Sequence, residues 1–480
     1  MAFLIGGANT LDDAYEIDNS LRFNDSNYLT IDNTDESGEG VNFTLSVWVK
    51  MMTFGDGGYQ GIFSIFKDSN DYFEIYKDNG SATGTGQENL QICQNINGTN
   101  VCYQIQDFEF ADYSSWYHLV VNFNNSESNQ VDKVSIYVNG TEIAGAVSNS
   151  NPFADVGLGD SAYDTRVGAY RDNTSATWNG YMSDFNLVAG QTLAASSFGK
   201  YDSNAVWVPK KYTGSYGENG FFLEFKETGT SQNSSGMGAD TSGNVNHLAV
   251  TGLSSVDVTT DTPSNNFCTL NPIDKGSEVN TVTEGNTKAT WNGANGDTIR
   301  STMAVANGKW YWETANADNL SCGIVDTEER IIPVSGNRFP GGSGYGSNDS
   351  FGYILSDGKT RTNNSQSTYG EAVDNGEILM CALDLDNGKI FWGVDGVWQN
   401  SGDPANGTNP AYTGITTGSV FFSPGWGYQT GGSSTVSVNF GNPPFAISST
   451  QADDNGYGSF EYDVPTGFYA LCSKNLAEFG

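Results

Sequence analysis

The chain has 480 residues, enough for two or three domains that each bury a hydrophobic core. Its 21 Lys and Arg stand against 56 Asp and Glu, and the formal net charge of −35 at pH 7 excludes the basic surface of a nucleic-acid or anionic-membrane binder. The 59 Gly, the 12 Pro and the aromatic share of 13 % indicate an ordered, turn-rich β protein.

The N-terminus lacks the features of a secretory signal. The apolar run after Met1 is short, no basic region precedes it, and acidic residues follow at Asp12 and Asp13. No stretch approaches the ~18 consecutive apolar residues of a transmembrane helix. We therefore expect cytosolic synthesis without membrane insertion. Residues 1–19 are interpreted as a segment that docks the chain onto a larger particle, with a first edge strand as the alternative.

Residues 20–200 form the first predicted domain. Apolar and polar residues alternate there with a period of two, and Asn-Gly pairs separate the runs. Over residues 134–143 an alternating strand reaches Asn139-Gly140 and then resumes, which predicts a β-hairpin. A short helix is predicted over residues 192–198, where Thr192 stands in an N-cap position.

Residues 201–287 are rich in Ser, Gly, Asn and Thr, and this composition predicts a connector with one short strand at 221–225. A second strand-rich block covers residues 288–447. Residues 448–480 form a tail whose apolar centre predicts a terminal strand that returns to the second block. The predicted fold is therefore all-β, with two antiparallel β-sandwich (jelly-roll) domains joined by a connector.

The six cysteines are too few for a disulfide scaffold in so long a chain. Cys93 and Cys102 flank a predicted hairpin with Asn97-Gly98 at its turn, and they form either a cross-strand disulfide or two reduced thiols. The other four are isolated, and we expect them to be buried, strand-borne thiols: Cys268, Cys322, Cys381 and Cys472.

Four segments of the first domain occur in a characteristic order. They are residues 43–50, 116–123, 134–140 and 178–187. Over residues 20–200 the chain resembles the laminin-G/pentraxin-like lectins, whose fold is a concanavalin A-type jelly roll. The resemblance implies a Ca²⁺ site between an acid after the first strand and an acid near the last one. Those positions correspond to Asp25 and Asp184, although Asp184 has a solvated carboxylate as its alternative.

The second block contains Lys-Trp-Tyr-Trp-Glu at 309–313, Ala-Leu-Asp-Leu-Asp-Asn-Gly at 382–388, Phe-Trp-Gly-Val-Asp-Gly at 391–396 and Val-Asn-Phe-Gly at 438–441. In that order they resemble a SPRY domain over 288–447. The chain departs from the family pattern at Gly376-Glu377 and again at Met380 or Cys381. We expect these departures to alter one turn and one strand.

Residues 207–225 and 261–272 resemble segments that join lectin-like modules in phage and phage-derived fibre-like proteins. Residues 467–476 resemble the tail that follows phage SPRY-like units. These resemblances imply a virion protein, synthesised in the host cytoplasm: a tail fibre or receptor-binding protein that recognises a host-surface glycan or protein. They further imply contacts with other virion tail or capsid proteins and a homotrimer. A capsid decoration or head-fibre protein is the alternative.

Catalytic residues are scarce. A Ser or Cys nucleophile usually needs a His base, but His118 lies in a predicted strand, where we expect a structural role, and His247 lies in the predicted connector. Glycan hydrolases of the concanavalin type carry Glu-x-Asp-x-x-Glu on one strand, and the nearest match, Glu461-Tyr-Asp463, lacks the second Glu. We expect binding rather than catalysis, with a glycan depolymerase as the enzymatic alternative.

Aromatic and Arg side chains on loop-like segments are candidate ligand contacts, because rigid rings bury area with little loss of entropy. The candidates are Tyr59, Tyr170, Arg171, Tyr345, Trp398, Tyr412, Trp426 and Tyr428. For the five from Tyr345 onward, a place in the core is the equal alternative. Trp310, Trp312 and Trp392 lie in predicted strands and are expected in the core.

Overall fold

The computed structural model describes residues 15–24, 26–33, 39–52, 58–78, 89–105, 108–171, 173–293, 297–315, 320–329, 338–345, 349–428 and 432–480. It divides the chain into two compact units, one that ends at Ser264 and one that spans Asn265–Gly480. Each unit contains two large sheets, almost entirely antiparallel, so the predicted all-β sandwich architecture is confirmed. No helix among the described residues is long and apolar enough to cross a membrane.

The first unit has two sheets, named 1A and 1B. In spatial order, sheet 1A contains Thr141–Ile143, Val134–Val138, Trp116–Asn124, Asn42–Met51, Gly180–Ala189, Ser20–Phe23 and Val258–Thr259, with Phe221–Leu223 paired to Gly180–Ala189. Sheet 1B contains Gly145–Val147, Thr99–Ile105, Asn89–Ile96, Asp71–Asp78, Gln60–Asp68, Asp164–Val167, Tyr28–Asp32 and Ala249–Thr251, with Ala169–Tyr170 and Asn173–Thr177 beside this path. Gly199–Tyr201 and Trp207–Pro209 form a separate ribbon.

The second unit has sheets 2A and 2B. Sheet 2A contains Leu270–Lys275, Thr298–Ser301, Phe422–Tyr428, Leu320–Asp326, Ser350–Ile354, Lys359–Thr362 and Ser365–Thr368. Sheet 2B contains Val279–Thr283, Lys288–Gly293, Gly432–Asn439, Lys309–Ala315, Ile378–Asp384, Lys389–Val394 and Val397–Trp398, with Tyr412–Thr413 and Tyr469–Ala470 at its sides. The described helices are the 3₁₀ turns Glu39–Val41, Gln130–Lys133, Ala195–Ser197, Ser255–Asp257 and Gln399–Ser401, and the α-helix Ser473–Phe479.

Alternation along the strands builds the cores. In Asn42–Met51, the inward residues Phe43, Leu45 and Val47 join the cluster between sheets 1A and 1B. The outward residues Ser46 and Lys50 are nevertheless fully buried. A period of two separates the two faces of a strand, but it does not say whether the outer face meets solvent.

Several local predictions are confirmed. The predicted hairpin is Val134–Val138 with Thr141–Ile143, and positive φ angles at Asn139 (48°) and Gly140 (78°) close its turn. Cys93 and Cys102 face each other across two strands and form a disulfide, which decides between the two alternatives. The four other cysteines are buried free thiols, and the three core tryptophans lie in the second-unit cores as expected.

The predicted connector differs from the structure. Its residues contribute strands to both units: Ala249–Thr251 pairs with Tyr28–Asp32, and Leu270–Lys275 belongs to sheet 2A. Residues 193–222 also supply aromatic rings to a cluster on the outer face of sheet 1A. Composition misled here because side chains such as Asp240 hold an irregular backbone in place as firmly as a strand ladder.

Two further predictions need correction. The helix predicted over 192–198 is only the 3₁₀ turn Ala195–Ser197. The tail does return with a short strand, Tyr469–Ala470, which pairs in parallel with Lys309–Ala315. However, it then continues into the helix Ser473–Phe479, whose N-cap residue Cys472 makes no side-chain cap and so gives no start signal. Most of the predicted docking segment, residues 1–14, lies outside the described residues.

Candidate ligand-binding surface on sheet 1B

Three of the predicted contact residues meet on the outer face of sheet 1B. Tyr59 stacks on Tyr170 with ring centroids 4.9 Å apart. Tyr76 presents its ring edge-on to both, at 5.2 Å from Tyr59 and 5.0 Å from Tyr170. We call Tyr59, Tyr76 and Tyr170 the tyrosine cluster. Offset and edge-on contacts of this kind favour one arrangement of rings, so the cluster is a rigid aromatic surface.

Arg171 extends the cluster with a positive charge. Its guanidinium donates to both carboxylate oxygens of Glu74, at 2.7 and 2.8 Å. The same group lies over the Tyr72 ring at 3.9 Å and the Tyr170 ring at 4.7 Å. Arg171 has a positive φ of 51°, a backbone conformation that is uncommon for residues other than glycine. A bidentate ion pair between two rings holds the guanidinium in one position.

Glu74 is buried beneath this pair. The carboxylate side chain is 1 % exposed, whereas the Arg171 side chain is 29 % exposed. Burial raises the pKa of Glu74 to about 7, and the hydrogen bonds and charge of Arg171 oppose that rise. Glu74 therefore serves to position the guanidinium, and Arg171 is the group that a ligand can reach.

A polar network continues the surface beyond the tyrosine cluster. The Tyr76 hydroxyl donates to the Gln91 side-chain oxygen at 3.1 Å, and the Gln91 amide donates to Asp78 at 3.0 Å. The same hydroxyl lies 3.4 Å from the sulfur of Cys93, within the Cys93–Cys102 disulfide. Tyr76 and Tyr170 are nearly buried, and Tyr59 is half-buried. The accessible groups are therefore Tyr59 and Arg171, supported from below.

Two candidates in the second unit are not surface residues. Trp426 is fully buried, and its indole N–H donates to Thr314 at 3.0 Å. Tyr345 is 3 % exposed and donates to Thr298 at 3.1 Å. The glycines that flank Trp426 suggest a loop, but both lie in the strand Phe422–Tyr428. At Gly427 a Cβ atom would meet Phe339 at 2.4 Å, so close packing requires glycine there. Of the two alternatives left open for these rings, the structure supports the place in the core, and neither ring is an exposed ligand contact.

The remaining second-unit candidates do not form one site. Trp398 is half-buried and contacts Tyr311 edge-on, in the cluster on the outer face of sheet 2B. Tyr412 is half-buried against Phe351 and packs on the main core of the unit. Tyr428 ends the strand Phe422–Tyr428, and its side chain lies outside the described part of the chain.

The predicted calcium ligands are only partly described. Asp25 lies outside the described residues. Asp184 is 3 % exposed and accepts hydrogen bonds from the Tyr15 hydroxyl at 2.8 Å and the Asn186 amide at 3.1 Å. Burial raises the pKa of Asp184 to about 6. Within the described ranges, no three His, Cys, Asp or Glu side chains gather as a metal site. The contacts of Asp184 suit a hydrogen-bonded carboxyl group, and Ca²⁺ binding stays a prediction.

His118 has the structural role that we predicted. Its Nδ1 accepts from the Trp207 indole at 2.9 Å, which leaves the proton on Nε2, 2.9 Å from the Ser46 hydroxyl. The ring stacks on Trp48 with centroids 4.7 Å apart. Complete burial lowers the pKa of His118 to about 3. The ring is therefore a neutral part of the packing on the outer face of sheet 1A.

Comparisons with known proteins agree with this fold. Residues 23–196 match the family model described as Laminin_G_3, concanavalin A-like lectin/glucanases superfamily. The match and the two packed sheets agree on a concanavalin A-like fold for this part of the chain. No curated protein matches the chain.

Solved structures with similar folds include the following three. The SPRY domain of human HERC1 is 15 % identical, over 35 % of this chain and 96 % of that chain, with a TM-score of 0.28. The PSpry domain of TRIM65 is 13 % identical, over 36 % of this chain and 89 % of that chain, with a TM-score of 0.28. A heptameric SAP-like pentraxin from Limulus polyphemus is 17 % identical, over 36 % of this chain and 77 % of that chain, with a TM-score of 0.26.

Sequence reasoning missed the supporting residues of the surface. Tyr72, Glu74 and Tyr76 alternate along Asp71–Asp78, and the inward Phe73 and Ile75 lie in the core. This alternation was a usable signal, because a strand that carries an acid between two tyrosines on its outer face presents a polar aromatic stripe. The missing information was the position of Arg171 across from Glu74, which depends on contacts distant in the sequence.

Proposed function

We propose that this chain is a phage virion protein, a tail fibre or receptor-binding protein, that recognises a host-surface glycan or protein through the outer face of sheet 1B. The clustering of Tyr59, Tyr170 and Arg171 carries the proposal. Tyr170 and Arg171 are neighbours in the sequence, and the fold brings Tyr59 from a distant segment to join them in a rigid arrangement of rings and one partly exposed guanidinium. Such surfaces bind sugars or peptides through ring stacking and directed hydrogen bonds.

The role is binding rather than turnover. Glu74, the acid paired with Arg171, accepts hydrogen bonds from two nitrogens of that guanidinium and is itself buried. A hydrolase acid must instead reach the scissile bond. With a net charge of −35, the protein repels anionic cell envelopes at long range. A local cation such as Arg171 would therefore supply an attractive contact with an acidic surface.

Binding to bacterial cells tests the proposal. Tyr59→Ala in the full chain should weaken attachment to a susceptible strain by about tenfold or more, as expected when an aromatic anchor is removed. Tyr201→Ala is the matched control, because Tyr201 is 54 % exposed in the same unit but away from the tyrosine cluster. Equal attachment by wild type and Tyr59→Ala across a strain panel and a glycan array would contradict the proposed surface.

The place on the particle and the assembly state belong to the same proposal. Immunogold electron microscopy should locate the protein at the tail tip, whereas label over the capsid faces would favour the decoration alternative. Light scattering should give a trimer. Release of reducing ends from a host polysaccharide would favour the depolymerase alternative, and loss of attachment with a chelator would support the predicted Ca²⁺.

A further inference from the structure

A small cavity opens in the first unit, outside the residues that match the lectin family model and away from the tyrosine cluster. Its volume is about 280 Å³. The aromatic side chains of Tyr212, Tyr216 and Phe222 form its apolar walls, and Thr241 and Ser242 add hydroxyl groups. Ligand pockets usually span ~300–1,000 Å³, so this cavity suits one ring-sized ligand.

The walls are held in place by their own hydrogen bonds. The Tyr216 hydroxyl donates to Asn186 at 2.8 Å, and Tyr212 contacts Tyr216 edge-on at 5.1 Å. Asp240 accepts from the backbone N–H of Ser242 at 2.8 Å and from its hydroxyl at 2.9 Å. At Gly214, a Cβ atom would lie 2.3 Å from the Tyr212 hydroxyl, so glycine allows the loop to close on that ring. A ligand would therefore meet a preorganised site.

The cavity lining contains one basic and one acidic side chain. Lys211 and Glu224 both line it. The Lys211 ammonium lies 5.8 Å from the centre of the Tyr15 ring, and Glu224 pairs with Lys226 at 3.0 Å. A ligand carboxylate would be attracted by Lys211 but repelled by Glu224, and a ligand ammonium would be attracted by Glu224 but repelled by Lys211, so neither sign of charge is preferred. The lining therefore favours a ligand without net charge that both donates and accepts hydrogen bonds.

We propose that this cavity binds a single neutral pyranose ring, as a sugar site separate from sheet 1B. The C–H face of the sugar would pack on the Tyr212 ring. Its hydroxyl groups would accept from Lys211 and donate to Glu224 and to the Thr241 hydroxyl oxygen, because the Thr241 hydroxyl itself donates to the Phe222 carbonyl at 3.3 Å. The inference rests on the cavity walls and does not require the sheet 1B surface to bind anything.

Saturation-transfer NMR on the full chain tests the site with four probes: a neutral methyl hexopyranoside, a methyl N-acetylhexosaminide, a methyl hexuronide and a methyl hexosaminide. The two neutral sugars should receive magnetisation, and the two charged ones should bind at least threefold more weakly. Thr241→Trp should fill the cavity and abolish the signal. Thr281→Trp is its control, since Thr281 is exposed on a strand of the second unit.

Glu224→Ala provides a second variant that leaves the apolar walls intact. It should lower the affinity for the neutral sugar about tenfold, as expected for the loss of charge-assisted hydrogen bonds. Glu227→Ala is the nearby control and should leave the affinity unchanged. If Thr241→Trp fails to fold, the Glu224→Ala titration decides the matter.

The outcomes separate this proposal from the function proposed above. A sugar signal that survives in Tyr59→Ala and is lost in Thr241→Trp supports the cavity. A signal lost in Tyr59→Ala and kept in the cavity variants overturns the cavity site and leaves the sheet 1B surface standing. Absence of signal from both neutral sugars, or a preference for the charged ones, also overturns it.

Discussion

In both units a later segment of the chain, which we call the cover, packs on the outer face of one sheet. The two covers differ in the polar groups that they bring to that face. In the first unit, residues 193–222 lay aromatic rings over sheet 1A, and residues 256–261 bring charged partners. In the second unit, the tail from 448 onward lays Phe460 and Phe468 over sheet 2B.

The charges beneath these covers explain the difference. Sheet 1A buries Arg22 and Lys50 on its outer face, and Asp257 and Asp261 of the covering segment lie 3.5 and 2.7 Å from them. Sheet 2B buries a carboxylate, Glu313, and the cover supplies donors instead: the backbone N–H groups of Glu461 and Tyr462, at 3.1 and 2.9 Å. A covering segment must therefore match the polarity of its face, because an unmatched buried charge is costly.

The largest contrast between the units is expected on acidification. Both histidines of the sequence lie in the first unit. The pKa of His118 falls from its ordinary value of 6.5 to about 3 in the fold. Between these values the unfolded chain binds a proton at His118 that the native unit does not, so His118 by itself should lower the unfolding free energy of the first unit by about 1.4 kcal/mol for each pH unit below 6.5.

Hydrogen exchange resolved by mass spectrometry can follow this loss separately in peptides of each unit. Burial raises the pKa of Glu74 and of Asp184, so those two groups act in the opposite direction in the same range. His118→Asn isolates the histidine, and on acidification below pH 6.5 its unfolding free energy should rise relative to that of the wild type by about 1.4 kcal/mol for each pH unit. Equal slopes would contradict a neutral buried His118.

The ion pair under the first cover gives the next largest effect. Asp261→Ala removes the acceptor of Lys50 and of the Trp116 indole, and it should cost about 3–5 kcal/mol of unfolding free energy. Asp357→Ala is the control, because the Lys359–Asp357 pair is exposed and should contribute less than about 1 kcal/mol. Chemical denaturation measures both values, and similar losses would show that burial adds nothing.

The first unit contains a disulfide, whereas the described cysteines of the second unit are free thiols. Cys93→Ser with Cys102→Ser opens a loop of sequence separation 9 and should destabilise the first unit by about 2–3 kcal/mol. A reducing agent should have the same effect on the wild type and none on the double variant. The second unit should keep its melting temperature in every case. A shift there on reduction would contradict the assignment of its cysteines as free thiols.

The smallest loss of stability is expected for a substitution of Glu313, beneath the tail segment that covers sheet 2B. Glu313→Gln places an amide donor where the Tyr311 hydroxyl, the Asn439 amide and two backbone N–H groups all donate. The cost should be about 1–3 kcal/mol, and the tail should become easier to cleave by limited proteolysis. Glu377→Gln, on a more exposed turn, should cleave like the wild type. Unchanged cleavage of Glu313→Gln would show that the carboxylate does not hold the tail.

Features of the fold that depend on neighbours in the sequence were predictable. The hairpin at 134–143 follows from alternation and an Asn-Gly turn, and both are local properties. The disulfide needed the structure, because two cysteines on adjacent strands pair only if the register sets them opposite each other. The segments that cover the outer sheet faces were not predictable. A Ser- and Asn-rich segment has the same composition whether it is a flexible connector or is held against a sheet by hydrogen bonds to an aspartate.

The same division holds for the candidate site. The sequence determined by itself that the chain is all-β and that its strands alternate, and it identified Tyr59, Tyr170 and Arg171 as candidate ligand contacts. Only the tertiary structure decided that these three meet over Glu74, that Trp426 is buried, and that a cavity forms beside Glu224. The physical reason is that exposure and pairing depend on residues distant along the chain, which alternation and composition do not encode.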